Sequence, residues 1–148
     1  MSKVFEDYFS EIQADMVSIC LEYVENMGDD IYIYCSHENN VYSVGYFYKI
    51  NGKLKERHKI NEELPNCDVS INRQKMVMQI LMDDLKQIEE ICKRFDRPMP
   101  TEMKLIYNIE KNNLEAKYQY DLIYSNNDEK TADDIEQSWF EEIKNNTK

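Results

Sequence analysis

Two histidines, four cysteines and twenty-nine carboxylates are the side chains through which this 148-residue sequence could do chemistry. His37 falls in what reads as a hairpin loop and His58 in a basic strand. Neither has a His, Cys or carboxylate at the spacing a metal site requires. Cys20, Cys35, Cys67 and Cys92 are widely separated, with no C-x-x-C. Cys20, Cys35 and Cys92 lie inside apolar patterns, which suits small core residues better than reactive thiols. Nucleophilic catalysis needs a nucleophile beside a base, and no G-x-S-x-G elbow is present. The three glycines, Gly28, Gly45 and Gly52, stand alone, so there is neither a phosphate-binding loop nor a dinucleotide fingerprint. Carboxylates do pair in sequence, at Asp83-Asp84, Glu89-Glu90 and Glu141-Glu142. Acid–base catalysis needs carboxylates in unlike environments. Neighbours on a helix point about 100° apart, so these pairs read as solvated faces. No catalytic residue, metal or cofactor is implied, and the expectation is a protein that is not an enzyme.

What remains is recognition by charge and by tyrosine. The net charge is −11 and is unevenly distributed. Residues 1–40 hold nine acids and one base, residues 41–120 twelve acids and fourteen bases, and residues 121–148 eight acids and three bases. Acidic ends repel phosphate backbones, which argues against direct nucleic-acid contact and against anionic membranes. They favour a basic protein partner, whose approach a negative patch would accelerate. Solvated helix faces that merely maintain solubility would give the same composition. The eleven tyrosines outnumber the five phenylalanines and fall mostly on expected strands. Tyrosine offers contact area at low entropic cost and tolerates water; it also serves as a half-buried sheet residue with a wet tip. Tyr107, Tyr118 and Tyr120 suit the second role. Tyr46 and Tyr48, opposite Arg57 and Lys55, suit it less well.

The elements that would position these groups follow from periodicity. Phe5, Phe9, Ile12, Met16, Ile19, Tyr23 and Met27 recur at helical steps, so a helix is expected over 3–27, capped by Ser2 and ended by Gly28. Strands follow at 31–36, 41–50 and 53–60. Asn51-Gly52 joins the last two through a type I′ turn. That turn sets Ile50 opposite Lys53, Tyr48 opposite Lys55 and Tyr46 opposite Arg57. It also puts Lys53, Lys55, Arg57 and Lys59 on one face. A loop over 61–69 leads to a second helix over 71–95, capped by Asp68 or Ser70, with Val77, Ile80, Leu81, Leu85, Ile88, Cys92 and Phe95 as its buried stripe. Pro98 and Pro100 forbid its continuation.

A second hairpin alternates cleanly. With Ile109 opposite Leu114, the residues Met103, Leu105, Tyr107, Ala116, Tyr118 and Tyr120 share one packed face, leaving the other wet. After a polar loop over 125–130, Thr131 can cap a last helix whose apolar side is Ile135, Trp139, Phe140 and Ile143. The expectation is a single α+β domain over 1–148, in the order α-βββ-α-ββ-α, with an antiparallel sheet and helices packed on one face. The opening residues have no basic segment followed by an apolar core, and no stretch approaches a membrane span, so a cytoplasmic protein is expected.

The run Met99-Pro100-Thr101-Glu102-Met103-Lys104-Leu105-Ile106-Tyr107-Asn108-Ile109-Glu110, with Leu114-Glu115-Ala116-Lys117-Tyr118-Gln119-Tyr120-Asp121, resembles the hairpin of the YezG-like immunity proteins. The closing segment Thr131–Ile135 with Trp139–Lys144 is similar to that family's last helix, and the tyrosine-rich strands match more loosely. The resemblance implies a cytosolic antidote. Such a protein binds a bacterial toxin delivered by contact or secretion, commonly a nuclease, in a 1:1 complex and occludes its active site. It implies no catalytic residues. A second binding class shares the element order: acidic, dimeric secretion chaperones that hold an extended effector segment. A small enzyme would require a concave polar pocket. The candidate binding surfaces are the second helix with Asp83, Asp84, Glu89 and Glu90, the C-terminal region with Asp121, Tyr124, Asp133, Asp134 and Glu136, and the pair Tyr46 and Tyr48.

Overall fold

The computed structural model describes residues 3–122 and 131–146. Helix α1 runs Phe5–Tyr23 and is followed by strands β1 (Asp30–Glu38), β2 (Val41–Ile50) and β3 (Lys53–Glu56). A 3₁₀ turn over Arg57–Glu62 leads to helix α2 (Ile71–Arg94), hairpin strands β4 (Glu102–Asn108) and β5 (Asn113–Gln119), and helix α3 (Ala132–Asn146). The five strands form one antiparallel sheet in the order β3-β2-β1-β4-β5.

Local chemistry sets the boundaries. The expected Ser2 cap lies outside the described residues; instead the Val4 N–H donates to the Asp7 carboxylate at 3.0 Å. Glu25 and Asn26 take left-handed φ of 55° and 64°, and the Asn26 N–H donates to the Leu21 carbonyl at 2.9 Å. That reversal ends α1 before Gly28 is reached. Ser70 Oγ accepts the Arg73 N–H at 3.3 Å, and Asp68 accepts the Ser70 N–H at 2.8 Å, so both candidate caps of α2 contribute. Thr131 and Asp134 form a reciprocal cap on α3. Asn51 and Gly52 have φ of 54° and 77°, and the turn sets Tyr48 opposite Lys55 as expected.

Three details differ from the sequence reading. β3 stops at Glu56, and Arg57 enters the 3₁₀ turn, so the basic face is not one continuous strand face. A second two-residue turn, Asn39-Asn40 with φ of 50° and 64°, pairs His37 with Tyr42 inside the ladder, so His37 is a strand residue. In the second hairpin Tyr107, not Ile109, opposes Leu114. That shift of two residues preserves the packed face because strand side chains alternate with period two.

The largest difference concerns the helices. α1 and α2 pack side by side on one sheet face, against Ile31, Ile33, Cys35, Val44, Tyr46, Tyr48, Met103 and Leu105. α3 packs on the other, where Trp139 and Phe140 meet Tyr32, Tyr34 and Phe47. The helices therefore sandwich the sheet instead of covering one face. β1 explains why: six consecutive residues, Ile31–Ser36, are buried, so both of its faces need a cover.

Candidate functional site

Two polar clefts stand out, one on each side of the sheet. The first lies between α1 and α2. Tyr8, Glu11, Ile12, Asp15, Asp84, Gln87 and Ile91 line an open cleft of about 380 Å³. Asp84 occupies a stripe position of α2 between Leu81, Leu85 and Ile88, which are all buried, and is itself only 4% exposed. Its Oδ2 is buried without a hydrogen-bond partner. Burial pushes its carboxyl up to about 8, helped by the neighbouring carboxyl of Asp15 and by the charge of Asp83. Asp15 and Glu11 form the exposed rim. Lys3 Nζ lies 2.9 Å from Glu11 and 5.4 Å from the Tyr8 ring centre, and the Arg94 guanidinium lies 5.0 Å from the same ring. The cleft thus combines a buried carboxyl, an acidic rim and an aromatic wall that already holds cations.

The second cleft lies where α3 meets the β2–β3 edge. Tyr46, Phe47, Glu56, Arg57, His58, Asp133, Glu136, Gln137 and Phe140 line about 290 Å³. Glu136 lies directly over Gly45, where any β-carbon would overlap its carboxylate. Burial raises the Glu136 carboxyl, and Arg57, 3.9 Å away, opposes that rise. Arg57 is held in turn by the Tyr46 carbonyl at 3.4 Å and by the Tyr46 ring face at 5.2 Å. This arrangement clamps α3 to the sheet. The groups that could act on a ligand here, Glu136 and Arg57, face each other.

The sequence-derived candidates divide accordingly. Tyr46 and Tyr48 are not surface residues: both are 0% exposed. Tyr48 donates its hydroxyl to the Cys20 carbonyl at 2.6 Å, and Tyr23 packs against both rings. Tyr23 and Tyr34 are equally buried, so these tyrosines form the core instead of a recognition surface. Glu89 is engaged inside the fold, accepting from the Tyr42 hydroxyl at 2.5 Å and lying 2.9 Å from His37 Nε2. The Tyr42 hydrogen bond, with His37 and Lys93, holds its carboxyl below the ordinary range. Asp83 and Glu90 are exposed, Asp83 accepting from Gln79 at 2.9 Å. Asp133 and Glu136 line the α3 cleft, whereas Asp134 is exposed and caps α3. Asp121 is exposed beyond β5, and Tyr124 lies outside the described residues. The α2 and α3 candidates therefore lie on opposite sides of the sheet and do not form one surface.

Sequence reasoning missed Asp15 and Glu11 as site residues, although Asp84 at stripe spacing is a signal that a carboxyl points inward. The four cysteines are all buried and unbridged; for Cys20, Cys35 and Cys92 the burial follows the apolar patterns in which they lie. Among the described residues no three His, Cys, Asp or Glu side chains are grouped to hold a metal ion, and no helix is long and apolar enough to cross a membrane. Compared with protein-family models and with curated proteins, the chain matches none.

Proposed function

We propose that this chain is an immunity protein that binds a basic bacterial toxin domain, a nuclease delivered by contact or secretion, and blocks its cationic substrate cleft. The observation that carries this reading is the acidic surface along α1 and the turn after it. Glu6, Asp7, Glu11, Asp15, Glu22 and Glu25 are all exposed there, and Glu11 and Asp15 line the Asp84 cleft. Such a surface matches a site built to hold phosphates and speeds association with it. The hairpin over 99–121, which resembles that of the YezG-like immunity proteins, supports the same role. The protein acts by occlusion as a monomer in a 1:1 cytoplasmic complex, without catalysis of its own. Co-purification with the polypeptide encoded immediately upstream, followed by a nuclease assay on the complex and on the freed partner, tests this. Tight binding with activity only after release is expected; failure to bind, or an inert partner, contradicts it.

The position of β5 at the end of the sheet favours a second reading, a secretion chaperone. β5 ends the sheet, and Tyr118, Tyr120 and Leu122 are 37%, 55% and 46% exposed beside it. An extended effector segment could add there as a strand. Chaperones of that kind are dimers, so a strictly monomeric state in solution counts against it.

A further inference from the structure

Building on the reading of the chain as a binder of a basic protein, we propose that the cleft between α1 and α2 is the anchor pocket of the interface: it takes one arginine side chain of the partner, its guanidinium facing Asp15 and Asp84 and its stem lying along Tyr8 and Ile12. Three observations converge on this. First, among the described residues the only charged groups lining the cleft are Glu11, Asp15 and Asp84, with Gln87 and the Tyr8 hydroxyl as the other polar functions. Second, Asp84 is buried among the apolar residues of α2, and its Oδ2 has no hydrogen-bond donor. A buried polar atom left in that state is costly unless a partner meets it, and a guanidinium has five donors in a planar fork suited to carboxylates. Third, the mouth already attracts cations of the chain itself. Lys3 sits on Glu11 and over Tyr8, with more than half of each side chain of that ion pair exposed, and Arg94 also lies over Tyr8. An exposed pair of this kind is weak and exchangeable. A partner arginine can therefore displace Lys3 and reach deeper, to the carboxyls of Asp15 and Asp84. Buried arginines at the centre of an interface are frequent energetic anchors.

The test is an amide-resolved NMR titration of the full chain with a blocked six-arginine peptide at about 0.15 M salt, where surface attraction between exposed charges is screened. Three proteins are compared: wild type, Asp15→Asn and Glu90→Gln. Asp15 and Glu90 are both exposed, so both variants keep the fold, which the same spectra verify. Shifts concentrated at Tyr8, Ile12, Gln87 and Ile91, with affinity falling about tenfold in Asp15→Asn and less than about twofold in Glu90→Gln, are expected for a buried-end charge contact. Shifts spread over all acidic positions, with both variants weakened alike, would overturn the pocket while leaving the basic-partner reading in place. No shifts at millimolar peptide would overturn both.

Discussion

Glu136 of α3 lies on the sheet at the one position of β2, Gly45, where no side chain intervenes. A half-buried carboxylate rests there because the backbone is bare and because Arg57 approaches to 3.9 Å from the neighbouring turn. The glycine is thus a seat for a helix on the far side of the sheet, not a break in the strand.

This relationship predicts a coupled pair of substitutions. Gly45→Ala should displace the Glu136 carboxylate and cost about 1–3 kcal/mol. In a Glu136→Ala background the same change should cost much less, because its obstacle is gone and alanine suits a strand better than glycine. A double-mutant cycle by urea denaturation measures the difference; additive effects would show that α3 does not use this seat.

Asp84 predicts a pH dependence of definite sign. Its folded carboxyl is pushed up to about 8 from an ordinary 3.8. The charged groups around it are Asp15 from α1 and Asp83 beside it, and the Cys20 and Cys35 thiols also face it. Across the window between those two values the folded state binds more protons than the unfolded one, so stability falls as pH rises. Asp84→Asn removes that loss. The stability of the variant relative to wild type should therefore grow by about 1 kcal/mol or more between pH 5 and pH 8. Urea midpoints at the two pH values check this, and a gap that shrinks toward pH 8 would contradict it.

The core tyrosines predict stability effects without binding effects. Tyr48→Phe removes the hydroxyl donated to the Cys20 carbonyl and leaves that carbonyl unmet, at a cost of about 1–3 kcal/mol. Tyr48→Ala should cost about 3–5 kcal/mol by opening a cavity at a site with 0% exposure. Thermal unfolding gives the loss. The folded fraction of Tyr48→Phe should bind a basic partner as wild type does.

Much of this architecture is legible in the sequence. Asn51-Gly52 forces positive φ at two successive residues, which fixes the turn and so the Tyr48–Lys55 register. The helical stripe of α2 and the alternation of β4 and β5 are equally plain. The side of the sheet that α3 takes is not, because Trp139 and Phe140 declare an apolar face without naming its partner. The clue lies elsewhere, in the uninterrupted run Ile31–Cys35, which no single-sided sheet would tolerate. Tyr46 and Tyr48 mislead for a related reason. Lys55 and Arg57 are expected opposite them, and a basic neighbour suggests solvent. In fact Lys55 reaches out to Glu62 at 2.6 Å, while Arg57 lies over the Tyr46 ring. The cleft brings together Asp15 and Asp84, which lie 69 positions apart in the chain on two different helices. Only the stripe position of Asp84 hints at it.

The central claim is that the α1–α2 face binds a basic protein. The most direct measurement is the affinity of the upstream-encoded polypeptide for wild type and for Asp15→Lys, by calorimetry, with nuclease activity followed in parallel. The account predicts a tight 1:1 complex without nuclease activity, a loss of at least about tenfold in affinity on charge reversal, and recovery of nuclease activity as the complex dissociates. Wild-type affinity in Asp15→Lys, or no complex at all, would contradict it.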